Sequence, residues 1–444
     1  MSKDIAAATK VRDRAIRLSI GTSLFSKIGT LFLQVAALPM AAKTLGVAGF
    51  AVYTLCSGSL SLLSFADLGV GPMMVRRIAI GEAIRDGKMV QNAVYGGMLT
   101  SLLAMILLLG LGAAALGGAL PGFGKGSVAV MSQGAFAAAL FAAMIVCVAQ
   151  LSATFASRLL AGYQRIYLGN MASGIGVVLS ATATIVTCLS NKVEPWMVIL
   201  SVYLPTAICQ TTAGLWIGLN KRVLLSAWRL GDRREVYAMI IEGFGFAVFG
   251  GLVPFLEREG TKWFAAGTGS ALALAKIGLA FQIIGILGGG VTIFTVPLVP
   301  AIADARARMD IPWLRKRFKQ VRTAVGSLGM VIIFAAPIFG PDLIRAAFGK
   351  GFSFTRLEAI CIACSFSLFA WVSLHWTLLS STGIIWKPAA VGLCEALVAL
   401  ILIKQLWPYM AEASVFVALP IVIALMSGWV FPLLCRKVLS SDVR

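Results

Sequence analysis

The sequence predicts an all-α integral membrane protein with twelve transmembrane helices arranged as two six-helix bundles. Of its 444 residues, 59% are hydrophobic, and the mean hydropathy is +0.91, well above that of soluble domains. A bilayer core requires about 20 consecutive apolar residues per helix. Twelve stretches meet this requirement, at 18–41, 48–71, 93–116, 130–157, 171–190, 195–219, 238–266, 271–297, 323–340, 357–381, 389–406 and 413–435.

The basic residues predict the orientation of these helices. Of the 38 Lys and Arg residues, 27 lie in the two tails and in the loops after even-numbered spans. The loops after odd-numbered spans hold 7, counting Lys404 at the end of the eleventh span, and 4 others lie within or beside the spans. Loops rich in Lys and Arg remain in the cytoplasm. Both termini are therefore predicted to be cytoplasmic, as an even number of spans requires.

The chain is predicted to be an internal duplication with a parallel repeat. Several landmarks recur at an offset of 219 residues, such as Lys43 with Lys262, and Leu159-Leu160 with Leu378-Leu379. The predicted domains are an N-terminal bundle (1–222), a basic cytoplasmic linker (223–237) and a C-terminal bundle (238–444). Repeats of this kind are one of the two ways in which transporters build alternating access.

The sequence argues against an enzyme, and we expect no catalytic residue, cofactor or metal. His375 is the single histidine, which excludes the HExxH motif, and GFGKGS at 122–127 does not fit the P-loop pattern. All eight cysteines fall in or at the ends of apolar spans, where packing is the expected role. The net charge of +20 is spread over short segments, which favours contact with anionic lipid over nucleic acid.

Four segments resemble the polysaccharide-biosynthesis (O-antigen/exopolysaccharide) flippases of the MATE-like multidrug/oligosaccharidyl-lipid/polysaccharide exporter superfamily. They are LGVAGFAVYTL at 45–55, FADLGVGPMMVRRIA at 65–79, LLAGYQRIYLGN at 159–170 and LIRAAFGKGF at 343–352. The resemblance implies two six-helix bundles facing each other in a V. It also implies a bacterial inner-membrane protein that moves an undecaprenyl-diphosphate-linked glycan to the outer leaflet, with a polysaccharide polymerase or co-polymerase as a further partner.

Two other functions remain alternatives. A MATE-like cation-coupled drug or metabolite exporter also has twelve spans, but such antiporters commonly carry a membrane acid in the first half. Here the first half has only Asp67, at a cytoplasmic edge. A membrane-embedded glycan polymerase or ligase is disfavoured because the predicted extracytoplasmic loops are short. The glycan and the coupling ion are not predicted.

Charged residues within spans usually face a cavity or pair with each other, so they are the candidate site. Lys27 lies nine residues into the first span, and Gln34 follows on the same helix face. In the seventh span, two structures compete: a helix that ends at Phe255 before a charged loop, or one that runs to Ala266. The predicted substrate-binding residues are Lys27, Gln34, Arg258, Lys262 and Lys276, with Glu242, Glu257, Glu259 and Glu395 as their charge partners.

Glycines at matched positions of the two halves are candidate hinges for alternating access. Gly69 and Gly71 end the second span, and Gly288, Gly289 and Gly290 lie in the eighth. Glycine weakens a helix, which permits bending. Close packing of helices is the alternative explanation, since small residues let membrane helices approach each other.

Overall fold

The computed structural model is helical, and its helices cover most of the predicted spans, although the second predicted span has no helix of its own among the described residues. It describes residues 18, 21–58, 60, 63, 69–116, 133–163, 165–190, 192–230, 232–268, 270–295, 302, 311–349, 352–382 and 384–440. Within these, eleven helices are long and apolar enough to cross a membrane. The first, Gly21–Gly58, covers the first predicted span and the beginning of the second. It breaks at Gly46, where φ is +66°.

The helices fall into two compact units, Met1–Ala247 and Val248–Arg444. The first unit contains the helices that we number α1 to α8. They are α1 (Gly21–Gly58, with a π-helical turn at Leu33–Ala37), α2 (Val70–Ile84), α3 (Gly87–Leu116), α4 (Gln133–Gly162), α5 (Ile166–Cys188), α6 (Pro195–Asn220), α7 (Val223–Leu230) and α8 (Arg233–Ala247).

The second unit begins with two π-helical turns, Val248–Leu252 and Phe255–Gly260, which continue the seventh span from α8. Its α-helices are α9 (Thr261–Gly267), α10 (Ala271–Thr295), α11 (Ile311–Phe348), α12 (Arg356–Ser381), α13 (Trp386–Met410), α14 (Ala413–Leu425) and α15 (Ser427–Ser440). The last predicted span is therefore two helices, because the backbone breaks at Met426 (φ −112°, ψ −90°).

The duplication is visible in the helix boundaries. Helices α4 and α12 end at positions 162 and 381, and α6 and α15 end at 220 and 440, close to the offset of 219 found in the sequence. The two Leu-Leu pairs sit at equivalent places near the ends of α4 and α12, and all four leucines are fully buried. Equal positions along the two halves therefore have the same packing role.

The segment between the two bundles is largely helical. Helix α7 occupies most of it, and its residues Val223 and Ala227 are buried in the apolar cluster of the first unit. Val236 and Met239 of α8 belong to the same cluster. The division between the units consequently falls after Ala247, within the seventh span, whereas the sequence places the start of the second bundle at 238.

Candidate functional site

The seventh span continues as a helix through its charged residues. It runs without interruption from Arg234 to Gly267, so the alternative in which the helix stops at Phe255 is wrong. Residues 255–260, which include Glu257, Arg258 and Glu259, form a π-helical turn. Such turns are rare and frequently occur at functional sites, because the wider turn changes the direction in which side chains point.

The charged residues of this segment are buried within the second unit. Glu257 is 3% exposed, Glu259 5% and Lys262 7%. The ammonium of Lys262 forms an ion pair with Glu259, three residues earlier on the helix. The guanidinium of Arg258 lies 5.8 Å from the ring centre of Phe369, in cation–π contact. Lys262 therefore has a carboxylate in ion-pair contact, whereas Arg258 contacts an aromatic ring and interacts electrostatically with the neighbouring Glu257.

Glu257 also meets Glu395, the predicted charge of α13. The two carboxyl groups are close enough to interact electrostatically. Two ionised carboxylates at such a distance repel each other. Glu395 also accepts a hydrogen bond of 2.9 Å from the backbone N–H of Ser427, the first residue of α15. This carboxyl group thus caps the helix that begins at the break in the last span.

Lys276 lies in a second charged cluster, in α10. Its Nζ is 2.7 Å from a carboxylate oxygen of Glu358 and 3.1 Å from one of Glu412, and 5.5 Å from the ring centre of Phe354. Glu358 additionally forms a capping box with Thr355 at the start of α12. The Lys276 cluster therefore joins the beginnings of α10, α12 and α14 with compensated charge.

In the first unit, Lys27 and Gln34 are partly buried on α1, and both positions are helical. Among the described residues, no carboxylate forms an ion pair with Lys27. Glu242 of α8, in contrast, is paired with Arg77 of α2 at 3.4 Å, and the same guanidinium also holds Glu235. Glu242 therefore helps to fix α8 against α2.

The candidate hinge glycines differ in their surroundings. A Cβ atom on Gly69, whose φ is +73°, would lie 1.9 Å from the carbonyl oxygen of Gly243, and one on Gly71 would lie 1.9 Å from the guanidinium of Arg158. Close packing thus accounts for these two glycines. It does not account for Gly288, Gly289 and Gly290, where a Cβ atom would meet no described atom within 4 Å.

Several functional-site residues were not found from the sequence. Glu358 and Glu412 border predicted loops, so the sequence suggests exposed loop charges at these positions. Arg77 is one of several basic residues in a predicted loop and does not stand out from the others. Gln282 has a buried side-chain nitrogen without a hydrogen-bond partner among the described residues. The sequence feature that could have identified Gln282 is its polar side chain within an otherwise apolar span. Asp67 lies outside the described residues.

Most of the charged groups in the spans of the second unit are paired with one another. Charges inside a span are expensive unless they pair or meet water, and the second unit pairs two of its three predicted cations. Within the described part of the chain, no group of three or more His, Cys, Asp or Glu side chains is arranged to hold a metal ion.

No family model and no curated protein matches this chain. Solved structures do match over nearly the whole length. One is an inward-facing multidrug resistance MATE family transporter of the MOP superfamily (TM-score 0.70, 12% identity, 94% of this chain and 98% of that one). Another is a mutant of the Vibrio cholerae MATE transporter VcmN (0.63, 15%, 98% and 99%).

A third match is a MOP superfamily transporter from Pyrococcus furiosus, for which reversed polarity of the binding pocket suggests a different function (TM-score 0.64, 14% identity, 97% of this chain and 96% of that one). At these identities the likeness concerns the fold. The chain is thus a multi-pass membrane protein with a MATE-like fold.

Proposed function

We propose that this protein moves a lipid-linked oligosaccharide or exopolysaccharide precursor across the bacterial inner membrane by alternating access, with both termini in the cytoplasm. The substrate is an undecaprenyl-diphosphate-linked glycan. Such a reaction breaks no covalent bond. The protein lowers the free energy of carrying a charged, hydroxyl-rich headgroup through the bilayer, for which cations and hydrogen-bond donors in a polar environment are sufficient.

The MATE-like fold supports transport, since solved structures of this fold include inward-facing and outward-facing transporters. The resemblance of the four sequence segments supports the glycan substrate. The parallel duplication, with helix ends 219 or 220 residues apart, supports alternating access.

The observation that carries the proposal is that some of the predicted cations form ion pairs with carboxylates and others do not. Lys262 and Lys276 are neutralised by carboxylates, but Lys27 and Arg258 form no ion pair with any described carboxylate. A cation in a membrane span that forms no ion pair is unfavourable unless it meets water or an anionic ligand, and both of these side chains are partly exposed. A diphosphate group supplies such an anion. Lys27 and Arg258 are therefore the residues that we assign to headgroup binding, and Lys262 and Lys276 are assigned to holding the unit together.

The decisive experiment measures transport of the lipid-linked glycan by Lys27 variants. In a deletion strain, lipid-linked oligosaccharide should accumulate on the cytoplasmic leaflet, and the wild-type chain should relieve this. Lys27→Arg should keep partial export because the charge survives. Lys27→Gln should lose most export, and Lys27→Glu essentially all of it. A hydrogen bond to a charged group contributes about 1.5–3 kcal/mol, so Lys27→Gln should weaken headgroup binding by roughly tenfold or more.

Lys404→Gln is the matched control, because Lys404 is an exposed lysine on membrane helix α13. It should export normally at the same protein level. Normal export by Lys27→Glu would remove Lys27 from the site and leave it as a lysine that reaches the lipid phosphates.

A second function, cation-coupled export of a drug or metabolite, is favoured by the contact between Glu257 and Glu395. Two buried carboxyl groups that interact are suited to proton coupling, because ionisation of one disfavours ionisation of the other. Glu257→Gln and Glu395→Gln keep hydrogen-bonding side chains, and the amide oxygen introduced by Glu395→Gln can still accept from the N–H of Ser427. If coupling depends on these groups, an imposed pH gradient should stimulate transport by the wild type and not by either variant. Uptake of a drug cation, without any movement of the glycan, would select this second function.

A further inference from the structure

A pocket of about 680 Å³ opens at the end of the second unit where α11 begins and α15 ends. It is unrelated to the residues assigned to transport. One wall comes from Arg315, Phe318, Lys319 and Arg322 of α11, which follow one another at intervals of three, one and three residues. This spacing places all four on one face of the helix.

The opposite wall has the same spacing. Trp429, Pro432, Leu433 and Arg436 of α15 also lie at successive intervals of three, one and three residues, and Leu439 follows one turn later. The two helices are joined at this end, because Nε of Arg315 donates a 2.7 Å hydrogen bond to the carbonyl oxygen of Leu439. The pocket is therefore a slot between two helix faces, and a hydrogen bond joins the two helices at its open end.

The lining combines positive charge with apolar surface. Four of its residues are Lys or Arg, and none of them is Asp or Glu. The remaining side chains are mainly apolar or aromatic, and Trp429 is exposed, as interfacial tryptophans in membrane proteins are. This composition is complementary to a molecule with an anionic head and an apolar tail.

A buried polar side chain completes the pocket. His375 of α12 is fully buried and belongs to the lining, 5.4 Å from the ring centre of Phe318. Its Nδ1 lies 2.7 Å from the carbonyl oxygen of Trp371, so Nδ1 carries the proton. Among the described residues nothing forms a hydrogen bond with Nε2. Arg322 is close enough to interact electrostatically with this imidazole. With Nδ1 protonated, Nε2 is an acceptor, so His375 offers no donor to an anion, and the Lys and Arg side chains of the lining supply the attraction for one.

We propose that this slot binds one membrane phospholipid with an anionic headgroup. The phosphate lies among Lys319, Arg322 and Arg436, and an acyl chain runs along the face of Trp429 and Leu433. The basic end of α11 is predicted to face the cytoplasm, and the cytoplasmic leaflet is the one rich in anionic lipids. An anionic phosphate group is the shared chemistry of this lipid and of free diphosphate, and the test separates these two sources.

The test uses the full-length protein in detergent, with dioleoyl phosphatidylglycerol, dioleoyl phosphatidylcholine and inorganic pyrophosphate as probes. Native mass spectrometry counts the retained lipid, and the unfolding midpoint reports stabilisation. The double variant Lys319→Gln/Arg322→Gln removes two lining cations. Both side chains are exposed on α11, so the fold should persist. We expect wild type to prefer phosphatidylglycerol, and the double variant to bind it at least about tenfold more weakly.

The matched control is Lys316→Gln/Arg317→Gln. It removes the same charge from the same turns of α11, but neither residue lines the pocket. It should change phosphatidylglycerol binding by less than about threefold. Equal losses in both double variants would mean unspecific attraction to a basic surface, and no loss in either would mean that the slot binds no lipid. Stabilisation by pyrophosphate and not by phosphatidylglycerol would identify a site for a soluble anion. Each of these three results overturns the proposal.

Discussion

Replacing Lys276 with Met tests whether the charged cluster of the second unit is structural. Lys276 is 8% exposed and Glu358 6%, whereas the side chain of Glu412 is 22% exposed. Removing one partner of a buried ion pair destabilises a protein by about 3–5 kcal/mol, because the other charge stays buried without compensation. Only Glu358 is fully buried here, so we expect a loss of about 3 kcal/mol, at the low end of this range.

Variants of the other two residues of the Lys276 cluster should rank in the stability that they lose. Glu412→Gln should cost less than about 1 kcal/mol, since a partly exposed pair contributes little and Lys276 keeps Glu358. The loss of stability caused by Glu358→Gln should lie between those of Glu412→Gln and Lys276→Met, because Gln can still close the capping box with Thr355. The double variant Lys276→Met/Glu358→Gln should lose less than the sum of the two single variants, as expected for residues in contact.

The assay is unfolding by SDS in mixed micelles, followed by tryptophan fluorescence, with export measured in parallel. If Lys276 is structural, export by the four variants should follow the amount of folded protein. The reasoning is refuted if Lys276→Met is no less stable than Glu412→Gln. It is also refuted if the double variant regains stability but exports nothing, since that result would return Lys276 to the substrate site.

Two further predictions concern packing and topology. Gly243→Ala should destabilise the first unit by about 1–3 kcal/mol, because the new Cβ atom would lie 2.4 Å from the carbonyl oxygen of Gly69. Gly289→Ala should be tolerated in the same unfolding assay, and a marked loss there would contradict the open surroundings of this glycine. Reporter fusions after Lys221 should read cytoplasmic and those after Lys125 extracytoplasmic, and either on the wrong side would contradict the twelve-span topology.

The spans were predictable because hydropathy is a local property of the sequence. The end of the seventh span was left open between Phe255 and Ala266, since Glu257, Arg258 and Glu259 interrupt the apolar pattern at its last turns. In the structure, contacts with residues of α12 and α13, about a hundred or more positions away, accompany these charges inside the helix. The break at Met426 was missed for the opposite reason. The sequence is apolar on both sides of it, and the polar group that stabilises the break, Glu395, belongs to another helix.

The candidate site was predictable as a set of charges, but its pairing was not. Sequence spacing suggested the contact between Glu259 and Lys262, which is local. It gave no indication that Lys276 meets Glu358 and Glu412, which are 82 and 136 positions away. These distant partners must be known before a cation paired with a carboxylate can be distinguished from one that is available to bind an anionic ligand. The assignment of Lys27 and Arg258 to headgroup binding therefore depends on the structure.

The duplicated architecture gives the chain an internal comparison between two ways of building one bundle. In the first unit, α5 and α6 are joined by hydroxyl pairs, Ser180 with Thr206 at 3.1 Å and Thr184 with Ser201 at 3.2 Å. At the offset of 219, the position that corresponds to Glu395 is Gly176, where a Cβ atom would lie 2.6 Å from Thr206.

The remaining buried acids of the second unit have apolar counterparts in the first: Leu38 for Glu257, Met40 for Glu259 and Ala139 for Glu358. One copy of the repeat therefore folds without these ionic groups. Their presence in the other copy is an asymmetry between the two halves. Exchanging residues between the copies would separate what a bundle needs in order to fold from what the ionisable groups of the second half contribute in addition.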